Sequence, residues 1–329
     1  MIVNGIDTKD ISVVVQGAVD PVNTPICLNS IRKVFPRAEI ILSTWENTSL
    51  DNLTYDVALL NKDPGGWKDS RTGITNNLNR QLVSTIAGLK RASNKYCIKV
   101  RSDIRFLSNR FLNYYNKYPK FEPEFKLFRN RILFSSYFFK RFLGEADYWV
   151  EPTPFHLSDW FVFGERTDLL MLFDIPLANE PYNTNYLRIH AKMTSKDNMF
   201  GASHQYAPEQ YILLNCLRKN VDKLIKMDHI ADFTIDNITF SDRFVANNFI
   251  VLNPSQIKMY CLKNGTDPYC KWSRNELALP MYVWNGLWRY DVFVDKYKQY
   301  CDTDYVIPSE AKKTKVRYLR YHKLFEKRR

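Results

Sequence analysis

The segment KYCIKVRSDIRF, Lys95 to Phe106, decides how the chain is read. Its first half, Tyr96-Cys97-Ile98-Lys99-Val100, is a short run of the kind that forms a buried strand. The run stops abruptly at Arg101-Ser102-Asp103, so an arginine and an acid stand at the mouth of that strand. Such a pair is either a solvent-exposed ion pair of little energetic consequence or a place where a charged ligand is held.

Working outward, ISVVVQG from Ile11 is a continuous β-branched run broken by Gly17, the pattern of a strand buried on both faces. Thr24-Pro25 reads as an N-cap followed by proline at the first helical position, opening a helix that stops before Pro36. Strands are expected at Glu39–Thr44 and Asp56–Leu60. Leu78, Leu82, Ile86 and Leu89 then recur at helical spacing before the strand that carries Arg101. The order β-α-β-β-α-β predicts a nucleotide-binding α/β half with a parallel sheet. Farther on, Lys126–Phe139 and Phe155–Gly164 read as strands, Leu169–Phe173 as a short helix, and Pro208 as the opening of another helix. After about Asn237 the periodicity fades, and the Trp-rich PMYVWNGLWRYDVF has no periodic partner. Neither internal repeats nor low-complexity segments occur.

The 329-residue chain carries a net charge of +12, and 45% of it is hydrophobic, enough for a large packed core. The charge is concentrated in two places. Ala311 to Arg329 holds nine Lys or Arg against Glu326 alone, and Arg110 to Gly144 holds eight against Glu122 and Glu124. Anionic surfaces are therefore expected at particular places. The first residues lack the basic-then-apolar pattern of a signal peptide, and no apolar run approaches the ~20 residues of a membrane span. Six scattered cysteines, with no C-x-x-C pair, read as reduced thiols of a cytoplasmic protein.

In an open α/β sheet, ligands bind at the carboxyl ends of the strands where their order reverses. Three expected strand ends carry polar groups: Gln16-Gly17, Thr44-Trp45-Glu46 and Arg101-Ser102-Asp103. Any one of them is ordinary turn chemistry; the three together favour a site. The chain has no G-x-G-x-x-G after the first strand and no G-x-x-x-x-G-K-S/T, which argues against a dehydrogenase-type dinucleotide fold and a P-loop. It also lacks G-x-S-x-G and H-E-x-x-H, so hydrolase and zinc-protease readings have no anchor. What remains is a nucleotide fold whose phosphates are met by a metal or by basic side chains.

GITNNLNRQLVSTIAGLKRASNKYCIKVRSD resembles the GT-A glycosyltransferase segment in which a Gly-bearing loop and an Arg-bearing helix precede a strand ending in a D-x-D-type motif. More closely, SVVVQG, SIRKVFPRAEIILSTWE, NRQLVSTIAGLK, KYCIKVRSD, FHLSDWFVFG and APEQYI resemble, in order, the WavE lipopolysaccharide-synthesis family, over roughly Ile11 to Leu214. The resemblance implies a GT-A-like α/β fold with a mixed, mainly parallel central sheet and a C-terminal extension. It implies a catalytic domain over 1–240, with a donor half to about 105 and an acceptor half from 106. An extension over 241–310 and a basic tail over 311–329 would follow. The implied activity is transfer of a sugar, expected from a UDP-sugar, to a lipid-linked or oligosaccharide acceptor of lipopolysaccharide or capsule type. Gln16, Gly17, Thr44, Glu46, Arg80, Arg101 and Asp103 then fall on the nucleotide-sugar side, and Asp159 and Trp160 on the acceptor side. Asp103 matches the last acid of the D-x-D-type motif, which holds Mg²⁺ or Mn²⁺ against the diphosphate. Here the sequence departs from the pattern, because Arg101 stands where the first acid belongs. Arginine binds a diphosphate directly through its planar fork. Asp103 therefore either ligates a metal or holds Arg101.

An inverting transfer also needs a base for the acceptor hydroxyl. Glu209, in Ala207-Pro208-Glu209-Gln210, lies at about the separation from the FVFG strand where inverting GT-A enzymes place a catalytic acid residue at a helix start. Pro-Glu is also ordinary helix-start chemistry, and the helix dipole is expected to keep Glu209 ionised. Asp159 is the rival base. His204 and His229 read as structural histidines ahead of the alternative of a metal ligand, and Trp284 and Trp288 as core ahead of stacking on an acceptor sugar ring. Phe134, Tyr137 and Phe138, interleaved with Lys140 and Arg141, are expected at a membrane surface, with the basic tail, which gives peripheral attachment to the inner face of the cell membrane. Basic residues interleaved with aromatics suit single-stranded nucleic acid as well. That alternative explains neither the three polar strand ends nor the acids at Asp103 and Glu209, and no nucleic-acid partner is expected. A third possibility is an inactive glycosyltransferase-like scaffold.

Overall fold

The computed structural model describes residues 2–68, 73, 75–143, 151–179, 204–222, 225–230, 232, 234–263 and 286–313. The first third follows the expected order. β1 is Ile11–Gln16, α1 Asn23–Val34, β2 Glu39–Trp45, β3 Val57–Asn61, α2 Leu78–Arg91 and β4 Tyr96–Arg101. All six residues of β1 are buried, because β1 has parallel neighbours on both edges, β4 on one side and β2 on the other. A strand enclosed in this way has no solvent face and so shows no alternation. α1 begins at Asn23 and not at the Thr24-Pro25 pair. Asp20 opens it by accepting from the amides of Val22 and Asn23, at 2.9 and 2.7 Å.

The rest of the chain departs further from expectation. After β5 (Ile104–Phe106), β6 is only Ile132–Ser135 and β7 only Phe161–Glu165. The amides before β6 are taken by side chains and do not enter a ladder. Leu127 donates to Asn248 Oδ1 at 2.7 Å, and Arg129 and Asn130 each donate to the Asp168 carboxylate at 3.1 Å. Past the weak sequence signal at Asn237 the described residues include regular helices and strands. α3 (Arg166–Phe173) and α4 (Pro208–Asn220) are followed by α5 (Ile235–Asn248), capped by the Thr234 side chain on the Asn237 amide. β8 (Phe249–Leu252), β9 (Met259–Cys261) and α6 (Tyr290–Tyr300) follow.

Seven strands form one mostly parallel sheet in the order β8-β6-β7-β4-β1-β2-β3. β7 is antiparallel to both of its neighbours, and every other pairing is parallel. β8 lies beyond residue 240, so the expected extension contributes a strand to the central sheet. β1, β2 and β3 proceed to one side, and β4 then joins the opposite edge of β1. Strand order therefore reverses between β1 and β4, and in open α/β sheets ligands bind at the carboxyl ends of such strands. Gln16 and Arg101 are register partners there.

Two of the aromatics expected at a membrane surface lie inside the protein. Phe134 and Tyr137 are fully buried, and Arg141 forks onto Asp242 at 3.2 and 2.6 Å. The apolar area of Phe134 and Tyr137 is spent on the core. Trp288 is core, 6.1 Å from Phe139 between ring centroids. Trp284 and the tail from 314 lie outside the described residues. Among the described residues no helix is long and apolar enough to cross a membrane.

α2 packs on β1 through Gly88, where a Cβ would stand 2.2 Å from Val14 Cγ1. Valine is fixed at χ1 and cannot swing aside. Gly88→Ala is expected to lower stability by about 1–2 kcal/mol, the ~1–3 kcal/mol of overpacking less part of the helix-propensity gain. Urea melts of Gly88→Ala, Val14→Ala and the double variant check this: the double variant should lose less than the sum of the two.

Candidate active site

The direction of β7 assembles the site. Because β7 runs against β4, its amino end meets the carboxyl end of β4, and Arg101 donates its amide to the Trp160 carbonyl at 3.3 Å. β6 runs parallel to β4, so the residues after it, Ser136 to Lys140, reach the same rim. Ser135 Oγ and Ser158 Oγ, 3.1 Å apart, tie that rim to the loop before β7. α4 brings Glu209 to the same place from its first turn.

Arg101 is held on two sides. Its Nε and Nη2 donate to the two carboxylate oxygens of Asp103 at 3.0 and 2.7 Å, and its guanidinium lies 4.6 Å from the ring centre of Trp160. Trp160 is itself stacked on Tyr137 at 4.8 Å and on Phe138 at 5.4 Å. The Nη1 group has no hydrogen-bond partner among the described residues, and the side chain keeps 23% of its exposure. An arginine fixed along one edge and one face, with a free amino group, is preorganised for an anion. Burial by itself would raise the Asp103 pKa, but the charge and hydrogen bonds of Arg101, aided by Lys263, hold the carboxyl below its ordinary value.

Two residues behind Arg101 on the same face of β4, Lys99 is fully buried and donates to the Asp159 carbonyl. Burial pushes its ammonium down to about 8, against the upward pull of the Asp159, Glu209 and Asp103 charges; Arg101 adds to the lowering. Glu209 is pushed the other way. Burial, reinforced by the Asp159 charge, raises its carboxyl to about 7, although its own helix amide, Lys140 and Lys99 act to lower it. The expectation that the helix start alone keeps Glu209 ionised is therefore corrected: desolvation outweighs the dipole. His156 Nε2 stands 3.6 Å from Glu209 Oε2.

Of the residues expected from sequence, Gln16, Gly17, Arg101, Asp103, Asp159, Trp160 and Glu209 gather at this rim. Gln16 is buried and accepts from Ser84 Oγ at 2.9 Å. Gly17 has φ +110° with nothing within 4 Å of a notional Cβ, so its backbone faces open space. Thr44 lies at the end of β2, buried, with Oγ1 unpaired. Glu46 is exposed just beyond it, its amide on the Asn61 carbonyl at 2.9 Å. Arg80 is occupied elsewhere. It forks onto Asp63 at 2.8 and 2.7 Å, fastening the 62–66 loop to the start of α2. Among the described residues, no hydrogen bond or ion pair links it to Arg101, Asp103 or Glu209. Sequence reasoning missed Lys99, Lys140 and His156 as site residues. The signal for Lys99 was present: a lysine inside an apolar strand, two residues from Arg101 and so on its face.

The donor set for a divalent ion is poor. Among the described residues, no three His, Cys, Asp or Glu side chains stand together to hold a metal. Both Asp103 oxygens already accept from Arg101, so a metal there would rest on the remaining lone pairs of a carboxylate shared with that arginine.

An α/β protein with a cluster of charged, partly desolvated side chains at the switch point of its sheet is the class that this fold and site define. The chain belongs to the WavE lipopolysaccharide-synthesis family, whose model, described as WavE lipopolysaccharide synthesis, matches residues 11–317. Comparison with curated proteins finds no match.

Glu209 makes the stability of the protein depend on pH. Its folded pKa of about 7 lies above the ordinary 4.5, so the folded state binds more protons between those values and stability falls as pH rises through that window. Glu209→Gln removes this loss. It is expected to raise stability by about 2–3 kcal/mol at pH 8 and by little below pH 4.5, read by urea melts at the two pH values.

Proposed function

We propose that the protein is a glycosyltransferase that moves a sugar from a nucleotide-sugar donor, a UDP-sugar, to a surface-glycan acceptor with inversion at the anomeric carbon. The observation that carries this reading is a half-buried carboxylate, Glu209, its pKa raised toward neutrality, at the same rim as a fork-held arginine, Arg101. The family's link to lipopolysaccharide synthesis supports the acceptor class.

In this reading the acceptor oxygen attacks the anomeric carbon as the bond to the diphosphate oxygen breaks. The electron pair of that bond leaves with the nucleoside diphosphate, and the hydroxyl proton passes to ionised Glu209. A base with a pKa near the working pH combines a sufficient ionised fraction with useful basicity. The charge developing on the leaving group is met by Arg101, which needs no reorganisation because Asp103 and Trp160 already hold it. Asp103 is a positioning residue here. Lys99 holds the Asp159-Trp160 turn through the Asp159 carbonyl and adds positive charge below about pH 8. Gln16 and Gly17, at the end of β1, lie on the donor side. The basic tail, with nine Lys or Arg among residues 311–329, would keep the enzyme at the inner membrane face near a lipid-linked acceptor.

Transfer from a panel of isotope-labelled nucleotide sugars, with and without Mg²⁺ or Mn²⁺ and with chelator, tests the reading. Glu209→Gln should lose at least ~100-fold in turnover and keep nucleoside diphosphate binding, whereas Arg101→Ala should lose that binding. The pH profile of kcat/KM should rise to a shoulder at about 7 as Glu209 ionises and fall from about 8 as Lys99 discharges. Full turnover in Glu209→Gln would remove the base assignment, and an α-configured product from an α-linked donor would remove inversion. The chain cut after residue 310 should lose most of its sedimentation with anionic vesicles; unchanged sedimentation would detach the tail from the membrane.

A further inference from the structure

We infer that His156 is the positioning partner of Glu209, a neutral imidazole whose Nε2 lone pair receives a hydrogen bond from the Glu209 carboxyl once that group has taken up a proton. The inference rests on the proposed role of Glu209 only for its catalytic consequence; the pairing itself is a statement about two side chains.

The tautomer follows from the hydrogen bonds. His156 Nδ1 lies 2.9 Å from the Leu157 carbonyl oxygen. A carbonyl only accepts, so Nδ1 carries the hydrogen and Nε2 carries the lone pair. That lone pair faces Glu209 Oε2 at 3.6 Å. Two acceptors facing each other repel and stay beyond hydrogen-bond distance, which is the separation expected for an ionised carboxylate. Protonation of the carboxyl supplies the missing donor, and an approach of less than 1 Å closes the bond. The imidazole does not take the proton itself: burial and the charge of Lys140 push its pKa well below the ordinary range.

The two groups are held in register by a neighbour of each. Gln210, next to Glu209, accepts from the Ala207 amide at 3.2 Å and donates from Nε2 to the Pro154 carbonyl at 3.0 Å. It clamps the start of α4 to the loop that carries His156. Phe155, next to His156, is buried with φ +63° and donates its amide to Ser241 Oγ at 2.8 Å. Phe138, two residues before Lys140, has φ +53°. These are the aromatic residues in the left-handed region among those described, and both flank the Glu209 cluster. Strained backbone of this kind persists only where the surroundings impose it.

The charged groups that act on Glu209 come from several elements. Lys99 reaches it from β4, Lys140 from the segment after β6, and Asp159 from the loop before β7. Each supplies a fixed field, whereas His156 is the neighbour that distinguishes the protonated from the ionised carboxyl by direct geometry. A hydrogen bond to the neutral form raises the pKa of an acid. The pairing thus makes Glu209 a stronger base toward an acceptor hydroxyl and holds the resulting carboxyl in one rotamer until its proton is released to water.

The test needs no substrate. In protein labelled with ¹³C at glutamate and ¹⁵N at histidine, the Glu209 carboxyl is followed by NMR from pH 4 to 9, with Glu209→Gln assigning the signal. The full-length protein is expected to show a His156 imidazole that remains the neutral Nδ1–H tautomer throughout, with Nε2 shifting as Glu209 titrates. In His156→Phe, which keeps a ring in the space, the Glu209 titration is expected to move down by about one pH unit. If His156→Phe does not fold, the wild-type tautomer and its response to Glu209 ionisation decide the matter alone. An Nε2–H tautomer, an imidazolium, or an unmoved Glu209 titration would overturn the pairing. Where transfer activity is found, the acid limb of kcat/KM moves with the NMR value while the donor KM stays unchanged. Absence of transfer with every donor, beside a shifted Glu209 titration, would count against the proposed function and leave the pairing standing.

Discussion

The antiparallel insertion of β7 between β4 and β6 is the constraint on which the site depends. In a wholly parallel sheet the amino end of β7 would lie at the opposite rim, with Asp159 and Trp160 far from Arg101. Reversing that one strand places the Trp160 carbonyl on the Arg101 amide, the Trp160 ring against the guanidinium and the Asp159 carbonyl on Lys99. The sheet thereby brings the ends of β1, β4 and β6 and the beginning of β7 to one edge. α4 then brings Glu209 to it.

The second organising fact is charge held away from water. Lys99, Arg101, Asp103, Asp159, Glu209 and Lys140 act on one another in a region where burial is the largest influence on Lys99, Arg101, Asp103, Glu209 and Lys140. A fold selected only for stability gains little from such a cluster, because desolvation offsets most of the attraction between buried ions. Concentrated desolvation that moves a lysine down and a glutamate up is the usual condition of a functional site. The Arg101-Asp103 pair belongs to this cluster and not to the exposed surface pairs typified by Lys90 and Asp174.

Much of the first third was legible in the sequence. The β-branched run at Ile11, the spacing of Leu78, Leu82, Ile86 and Leu89, and the polar residues at three strand ends all find their place. The later strands were read too long, because apolar residues in Lys126–Phe139 are buried without being in a ladder; side chains of Asn248 and Asp168 satisfy their backbone instead. β8 escaped notice because a four-residue apolar run has no period to detect. Phe134 and Tyr137 suggested a surface and are buried, since interleaved cations look the same in sequence whether the rings between them point in or out.

The sequence by itself determined the α/β class, the polar strand ends and the presence of an acid at the start of α4, because strand burial, helix spacing and turn chemistry are local properties. The tertiary structure decided what those residues are for. Only the packed chain shows that Arg80 is occupied by Asp63, that Asp103 grips Arg101, and that Glu209 loses its ordinary acidity beside Asp159 and faces His156. These are matters of distance and desolvation between residues far apart in the chain, and no local pattern encodes them.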